Sequence, residues 1–449
     1  MSVNAMEQER VAGFEMEYSP SLIFVPDNKY DNKKFYEVNS SEMLSVIEEK
    51  YISSKYGFLE IGYRACSELE LTEICLPEST PNNVGQMQLG SELLAEQALK
   101  DVAATYADDK PELQGNWYYF LPLRVSNDNS TSGFHENYQI QNDTFINDER
   151  LLNNQLYFLA LYAATANVWT GQGNVSVKKE NFEEIGVYDI AQKVGLHTSG
   201  GNDLVEYKGD PSTGMRYEFR RNNYPVSHWQ LKYRSAYTSA VIRAYEQGAI
   251  NTTKYQFFKN AEDIPQLINE DPHTKLELCG RSKRITAVEY QMWLAGQVAS
   301  IAARRGFPEY EQIAATQVAE VCTYLHDEKY EQVAMAVPWV LKEFKLSQNV
   351  PDFFDYCPKY SNTLVEARQI CISLDGLGLG GVTKMVRNKQ ALYSTSDVAI
   401  SHTPNAPCLS IAKSRGRHIL AKGKNAAYYY ADWMTDELVD SRTVKKTLH

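Results

Sequence analysis

Two short stretches of this chain place charged side chains at two-residue spacing, the repeat of a β-strand. Residues 216–223 read RYEFRRNN. On a strand, alternate side chains point to opposite faces. Arg216, Glu218 and Arg220 therefore share one face, and Tyr217 and Phe219 bury against the other. Such a cluster is either a surface charge ladder or a site, with Glu218 on a metal and the arginines on an anionic oxygen. The forked guanidinium suits phosphate. Residues 11–18 read VAGFEMEY, with Glu15 and Glu17 on one face, about 7 Å apart along the strand. Hard divalent cations need several carboxylate oxygens converging in this way. An exposed edge strand gives the same pattern.

Further acids lie between these stretches. Residues 56–61, YGFLEI, form an apolar strand with Glu60 inside it. Residues 67–79, SELELTEICLPES, carry Glu68, Glu70 and Glu73 in a largely apolar hairpin. Buried carboxylates must be paired or bind metal, so this density exceeds what structure alone requires. Residues 133–140 read GFHENYQI, and a polar Ser/Asn/Gly loop delivers His135 directly onto that strand. A lone His on a strand is otherwise a satisfied core residue.

The remaining elements must position these groups. Residues 40–50 start with a capping-type serine and read as a helix. Residues 86–106 keep one apolar stripe and are helical. Residues 116–127 are a strand, 151–168 a long apolar core helix, and 174–215 a loop-rich segment. Residues 228–248 predict an amphipathic helix stopped at Gly248. Further helices start at Thr286 and cover 308–345. The glycine cluster at 374–382 lacks the strand and helix of a nucleotide loop. The tail from about 391 is irregular and ends in a Tyr-rich strand, residues 428–434.

The 449 residues are 43% hydrophobic and 23% charged, an ordinary globular balance. A net charge of −12 excludes nucleic acid as the main partner, which wants a basic face. Seven cysteines without a CxxC pair indicate a reducing compartment with buried thiols. No apolar signal core or bilayer-spanning run occurs, so the expected location is cytoplasmic, with no membrane partner.

Taken in order, these pieces resemble the Pup ligase and depupylase family of the glutamine synthetase-like carboxylate–amine ligases. GFEMEY at 13–18 looks like the family's first Glu strand, and GFHENYQI is similar to its His-Glu-Asn-Tyr element. RYEFR followed by Asn and Tyr-Pro is similar to the superfamily's late active-site strand. PWVLKEF at 338–344, His402-Thr403-Pro404, AKSRG at 412–416 and DWM at 432–434 echo its later segments. The resemblance implies an α+β fold: a curved antiparallel sheet cradle with helices on its outer face. Residues 1–390 would form the catalytic domain and 391–449 a small C-terminal domain.

The resemblance also implies roles. Glu15, Glu17, Glu68, Glu73, His135 and Glu218 would hold magnesium. Arg216, Arg220, Tyr56, Asn223 and Trp433 would contact ATP. Glu60 stands where the family has its catalytic Asp, and Arg220 would join it in catalysis. Phe58 replaces a metal-side Tyr, Tyr56 lies near an ATP-binding Arg, Ile411 replaces another Arg, and Glu218 replaces the His usual in Pup ligases. These departures mark a divergent branch.

The implied activity is two-step. Mg-ATP activates a carboxylate as an acyl phosphate, and a protein lysine attacks to form an isopeptide. The carboxylate would be the terminal Glu of a Pup-like or ubiquitin-like small protein modifier. The alternatives are a depupylase or deamidase, a small-molecule γ-glutamyl ligase, and a binding pseudoenzyme. The short spacing from Glu15 to Phe58 matches the ligase branch, since depupylases carry a long loop there. An attacking ammonium needs a base, and Glu60 is the candidate. Glu60→Gln keeps the shape and removes the basicity. It should still bind ATP while amide formation falls by about 10²–10⁴-fold; full ligation by this variant would move the base to Glu70 or Glu73.

Overall fold

In the computed structural model the described residues are 10, 12–18, 20–25, 34–50, 63–68, 71–76, 80–109, 116–120, 134–141, 149–191, 204–210, 214–220, 224–225, 227–251, 263–278, 282–375, 429–431 and 438–440. Eleven strands organise the first half: β1 (Ala12–Tyr18), β2 (Ser21–Val25), β3 (Lys34–Glu37), β4 (Arg64–Glu68), β5 (Leu71–Cys75), β6 (Asn116–Phe120), β7 (Phe134–Gln139), β8 (Asn174–Glu180), β9 (Glu183–Asp189), β10 (Val205–Asp210) and β11 (Gly214–Phe219). Six of them form one sheet in the order β10-β11-β7-β1-β5-β4. Every neighbouring pair in it is antiparallel. The fold is thus mixed α and β around an antiparallel sheet, as the sequence implies.

Residues directly opposite in an antiparallel pair share a face, so the register sorts the sheet completely. One face carries Ala12, Phe14, Met16, Tyr18, Ile74, Phe134, Tyr138, Val205, Tyr217 and Phe219, all buried. The aromatic members meet edge to face: Phe14 with Phe134 at 5.2 Å and Tyr138 with Phe219 at 5.5 Å between centroids. Such pairs are favoured by the ring quadrupole. Helices cover this face. Tyr18 hydrogen-bonds Ser91 of helix Val84–Asp109 at 2.8 Å. Phe219 meets Tyr162 of helix Glu149–Thr165.

Helix His228–Glu246 is the central tie. The sequence predicts an amphipathic helix here; instead, it is buried on every side from Arg234 to Ala244. Its polar residues find partners inside rather than in water. Arg234 donates from Nε to Glu136 Oε1 of β7 at 2.7 Å. Arg243 donates to Glu311 of helix Glu309–His326 at 2.8 Å. Glu246 accepts from Arg10 at 2.6 Å. The helix stops near Gly248, which takes a left-handed φ of 62°, as the C-terminal glycine implies.

Elsewhere the expected elements form with shifted ends. The helix expected at 86–106 spans Val84–Asp109, and that at 151–168 breaks into Glu149–Thr165 and Asn167–Thr170. Thr286 caps helix Ala287–Arg305 through a capping box with Glu289. The region 308–345 splits at Lys329 and again at Pro338, which opens helix Pro338–Asn349. The loop-rich reading of 174–215 is corrected: it holds β8, β9 and β10. β8 and β9 pair through a two-residue Asn181-Phe182 turn that lacks the usual glycine signal. The expected strand at 116–127 is seen at Asn116–Phe120; 121–127, the strand expected at 56–61 and the boundary at 390/391 lie outside the described residues.

The Glu136–Arg234 pair has no exposure on either side chain beyond 1%. Removing one partner of such a pair strands a buried charge and costs about 3–5 kcal/mol, whereas replacing both with apolar residues can be neutral. Urea denaturation should show Arg234→Met destabilised by that amount and Glu136→Leu/Arg234→Met substantially recovered. Equal losses in single and double variants would contradict the pair's role.

Candidate active site

The opposite sheet face is charged. From one edge to the other it carries Glu206 of β10; Arg216, Glu218 and, just past the strand end, Arg220 of β11; His135 and Asn137 of β7; Glu15 and Glu17 of β1; Glu73 and Cys75 of β5; and Arg64, Cys66 and Glu68 of β4. Strand alternation built this face. Within each strand these residues alternate with neighbours facing the other side.

Glu218 sits at the centre with no exposed side-chain surface. Arg220 donates from Nε to its Oε1 at 2.8 Å and also contacts Glu206. His135 Nδ1 lies 3.9 Å from the same Oε1 and 3.2 Å from Glu15 Oε2. Because a carboxylate only accepts, Nδ1 carries the proton in this contact. Asn137 connects the next pair: its Nδ2 donates to Glu15 Oε1 at 3.4 Å, and its Oδ1 accepts from Arg216 Nε at 2.9 Å. One continuous polar network therefore runs from Glu206 through Arg220, Glu218, His135, Glu15 and Asn137 to Arg216.

Glu73 belongs to a different set. Cys75 Sγ donates to Glu73 Oε1 at 2.8 Å, and Cys66 Sγ approaches the same oxygen at 3.7 Å. The bond with Cys66, burial, and the charges of Glu73 and Glu15 push the Cys75 thiol well up. It stays a protonated donor to Glu73 rather than a thiolate nucleophile.

The structure brings Glu15, His135, Glu218, Arg216 and Arg220 together, with Glu17 and Glu73 paired across β1 and β5. The backbone register places Glu68 on the same face; its side chain is outside what is described. Tyr56, Glu60, Asn223 and Trp433 lie outside the described residues. Among the described residues no three or more His, Cys, Asp or Glu side chains form a group that could hold an ion. Protein cations engage the central carboxylates, and thiols engage Glu73. The donor chemistry nevertheless fits magnesium. Mg²⁺ takes hard oxygens and typically one or two carboxylates completed by phosphate oxygens and water, not an all-protein cage.

Sequence reasoning missed Glu206, Asn137 and the thiol pair. Glu206 lay in the segment read as loop. Asn137 stood in the quoted HENY motif, but its role depends on non-local register.

No protein-family model matches the sequence, and no curated protein matches it. Among solved structures, the chain is similar to the ligase in a complex of the prokaryotic ubiquitin-like protein Pup with its ligase PafA. That match has a TM-score of 0.75 at 17% identity and covers 98% of this chain and 90% of that one. A second is the Pup ligase PafA in complex with ADP, with a TM-score of 0.68 at 16% identity, covering 92% and 90%.

His135 offers a direct check on the network. Burial lowers its pKa, but the Glu15 hydrogen bond and the charges of Glu15, Glu218 and Glu17 outweigh it, and the net direction is up from 6.5. A raised folded-state value stabilises the fold fully below the unfolded value and loses that contribution as pH rises through the folded one. Glu15→Gln should lower the His135 pKa in an NMR titration and flatten melting temperature against pH above 6.5. An unmoved titration would separate the two residues. With the geometry and the comparisons together, the chain carries the Pup-ligase fold over nearly its whole length.

Proposed function

We propose that this protein is an ATP-dependent carboxylate–amine ligase that joins the terminal glutamate of a Pup-like small protein modifier to a lysine of a target protein. The observation that carries this reading is the Glu15–His135–Glu218–Arg220 network on one sheet face of the Pup-ligase fold. The fold alone hosts several activities; the network supplies the groups that phosphoryl chemistry needs.

Bound Mg-ATP supplies the phosphoryl group that activates the carboxylate. In this chain, Glu15 and Glu218, with Glu17, Glu68 and Glu73 further along the face, are the oxygen donors for magnesium. Arg220 and Arg216 face the same side and hold transferring oxygens by forked, charge-assisted bonds. Arg220 has 21% of its side chain exposed, so its guanidinium can reach an incoming phosphate while Glu218 orients it. Asn137 keeps Arg216 and Glu15 in fixed relation. His135 hydrogen-bonds Glu15 at 3.2 Å and fixes the position of that carboxylate on the face. Glu60 is the base for the attacking lysine, and Tyr56, Asn223 and Trp433 complete the nucleotide contacts. The location is the cytoplasm; among the described residues no helix is long and apolar enough to cross a membrane.

The test is a two-part assay on the full chain. Mg-ATP should raise the melting temperature, by mass action on the folded state worth about 2.7 kcal/mol at one hundred times Kd. Glu218→Ala should abolish the shift by removing a donor and leaving Arg220 facing Glu206 alone. Incubation with Mg-ATP, a Pup-like protein ending in glutamate and a lysine-bearing acceptor should yield an isopeptide by mass spectrometry. An ATP shift without ligation of any glutamate-terminated protein would move the reading to a small-molecule γ-glutamyl ligase. No shift at all would overturn the ligase.

A further inference from the structure

Five of the eight exposed large apolar side chains among the described residues fall on one small module built from elements outside the six-stranded sheet: Phe182, Phe354, Tyr356, Tyr360 and Val365. The module has its own core, with Val175, Leu346, Val350, Phe353, Cys357, Leu364, Ala367 and Cys371 buried together. It is built from the β8–β9 hairpin and the segments around helices Asp352–Asp355 and Asn362–Asp375. The first residues of β9 run antiparallel to 357–359: Gly186 N donates to Cys357 O, and Lys359 N to Glu184 O. Tyr356 Oη donates to Glu183 at 2.7 Å. These bonds bring the hairpin tip alongside Tyr356 and Tyr360.

The tip itself is unusual. Asn181 and Phe182 form the turn with φ of 48° and 71°. A two-residue turn of this hand wants glycine at its second position, and a bulky residue at positive φ is a conformational outlier. Phe182 is nonetheless there, 96% exposed. Nothing in the fold's own packing rewards a phenyl ring in that place. Strain held at an exposed apolar residue points to a role outside the fold.

The rim decides the kind of partner. Glu180, Glu183, Glu184, Asp352, Asp355 and Glu366 are all exposed on these segments, against exposed Lys179 and half-buried Lys178, Lys359 and Arg368, and of the acids Glu184 is paired with Lys359 at 2.8 Å. The aromatic surface already accepts an ammonium: Lys359 Nζ lies 5.4 Å over the Tyr360 ring, a cation–π contact. An acidic rim around aromatic faces complements lysine and arginine and repels acidic chains. We propose that this module is a docking surface for a basic, lysine- or arginine-bearing segment of a partner protein, anchored by Phe182. It stands independently of the ligase reading, because it uses no residue of the charged sheet face.

The experiment uses the full chain without nucleotide, so its outcome does not depend on catalysis. The probe is a fluorescein-labelled lysine–leucine peptide, compared by anisotropy with a glutamate–leucine peptide of the same length. The lysine peptide should bind, and added salt should weaken it. Phe182→Gly removes the anchor and suits the turn, so the melting temperature should hold or rise while binding weakens by about tenfold or more, as for an interface hot spot. Tyr360→Ser, away from the turn, should weaken binding in the same direction. Failure of the lysine peptide to bind, preference for the glutamate peptide, or undiminished binding by Phe182→Gly would each overturn the proposal. Concentration-dependent self-association that Phe182→Gly abolishes would assign the surface to a second copy of this chain instead.

Discussion

The buried Glu136–Arg234 pair determines which way β7 faces. Glu136 has no exposure and must meet a cation, and Arg234 on the central helix is that cation. Tyr138 Oη adds a hydrogen bond to the same carboxylate, and the Arg234 guanidinium lies over the Phe134 ring. With Glu136 fixed inward, strand alternation turns His135 and Asn137 outward onto the charged face. A one-residue slip of β7 would bury His135 and expose Glu136, reversing every side chain. Phe134 and Tyr138, packed between Phe14 and Phe219, resist the same slip through apolar burial. Charge pairing and aromatic packing therefore select one register together, and that register brings Glu15 opposite His135 and Glu218 opposite Asn137.

How much of this was legible in the sequence follows from how local each signal is. β1, β7 and β11 could be read because charged and aromatic residues alternate strictly within six or seven positions. Which residues share a face on each strand followed at once. β10 hid Glu206 because VEYKGD is short and ends in turn-forming residues. β8 and β9 hid because their turn uses Asn-Phe in place of a glycine pair. The burial of helix His228–Glu246 could not be seen, since Arg234, Ser239 and Arg243 look like a solvated face until Glu136 and Glu311 are brought to them. Asn137, Cys66 and Cys75 depended wholly on register between strands distant in sequence. Alternation is written in neighbouring residues; pairing is written only in the fold.

The two arginine–glutamate systems on opposite sides of the sheet differ in what they can do. Arg234 is buried, and its bond to Glu136 cannot be exchanged without leaving a charge in a low-dielectric interior. It is structural for that reason. Arg220 is partly solvated and shares its guanidinium between Glu218 and Glu206. Pairs with water access are worth about 0–1 kcal/mol, so exchanging Glu206 for a phosphate oxygen costs little. Glu218, fully buried beside it, holds Arg220 Nε at 2.8 Å and would keep it aimed during the proposed exchange. The same sheet thus holds one arginine that cannot leave its partner and one that can, and the proposed phosphate contact falls to the second.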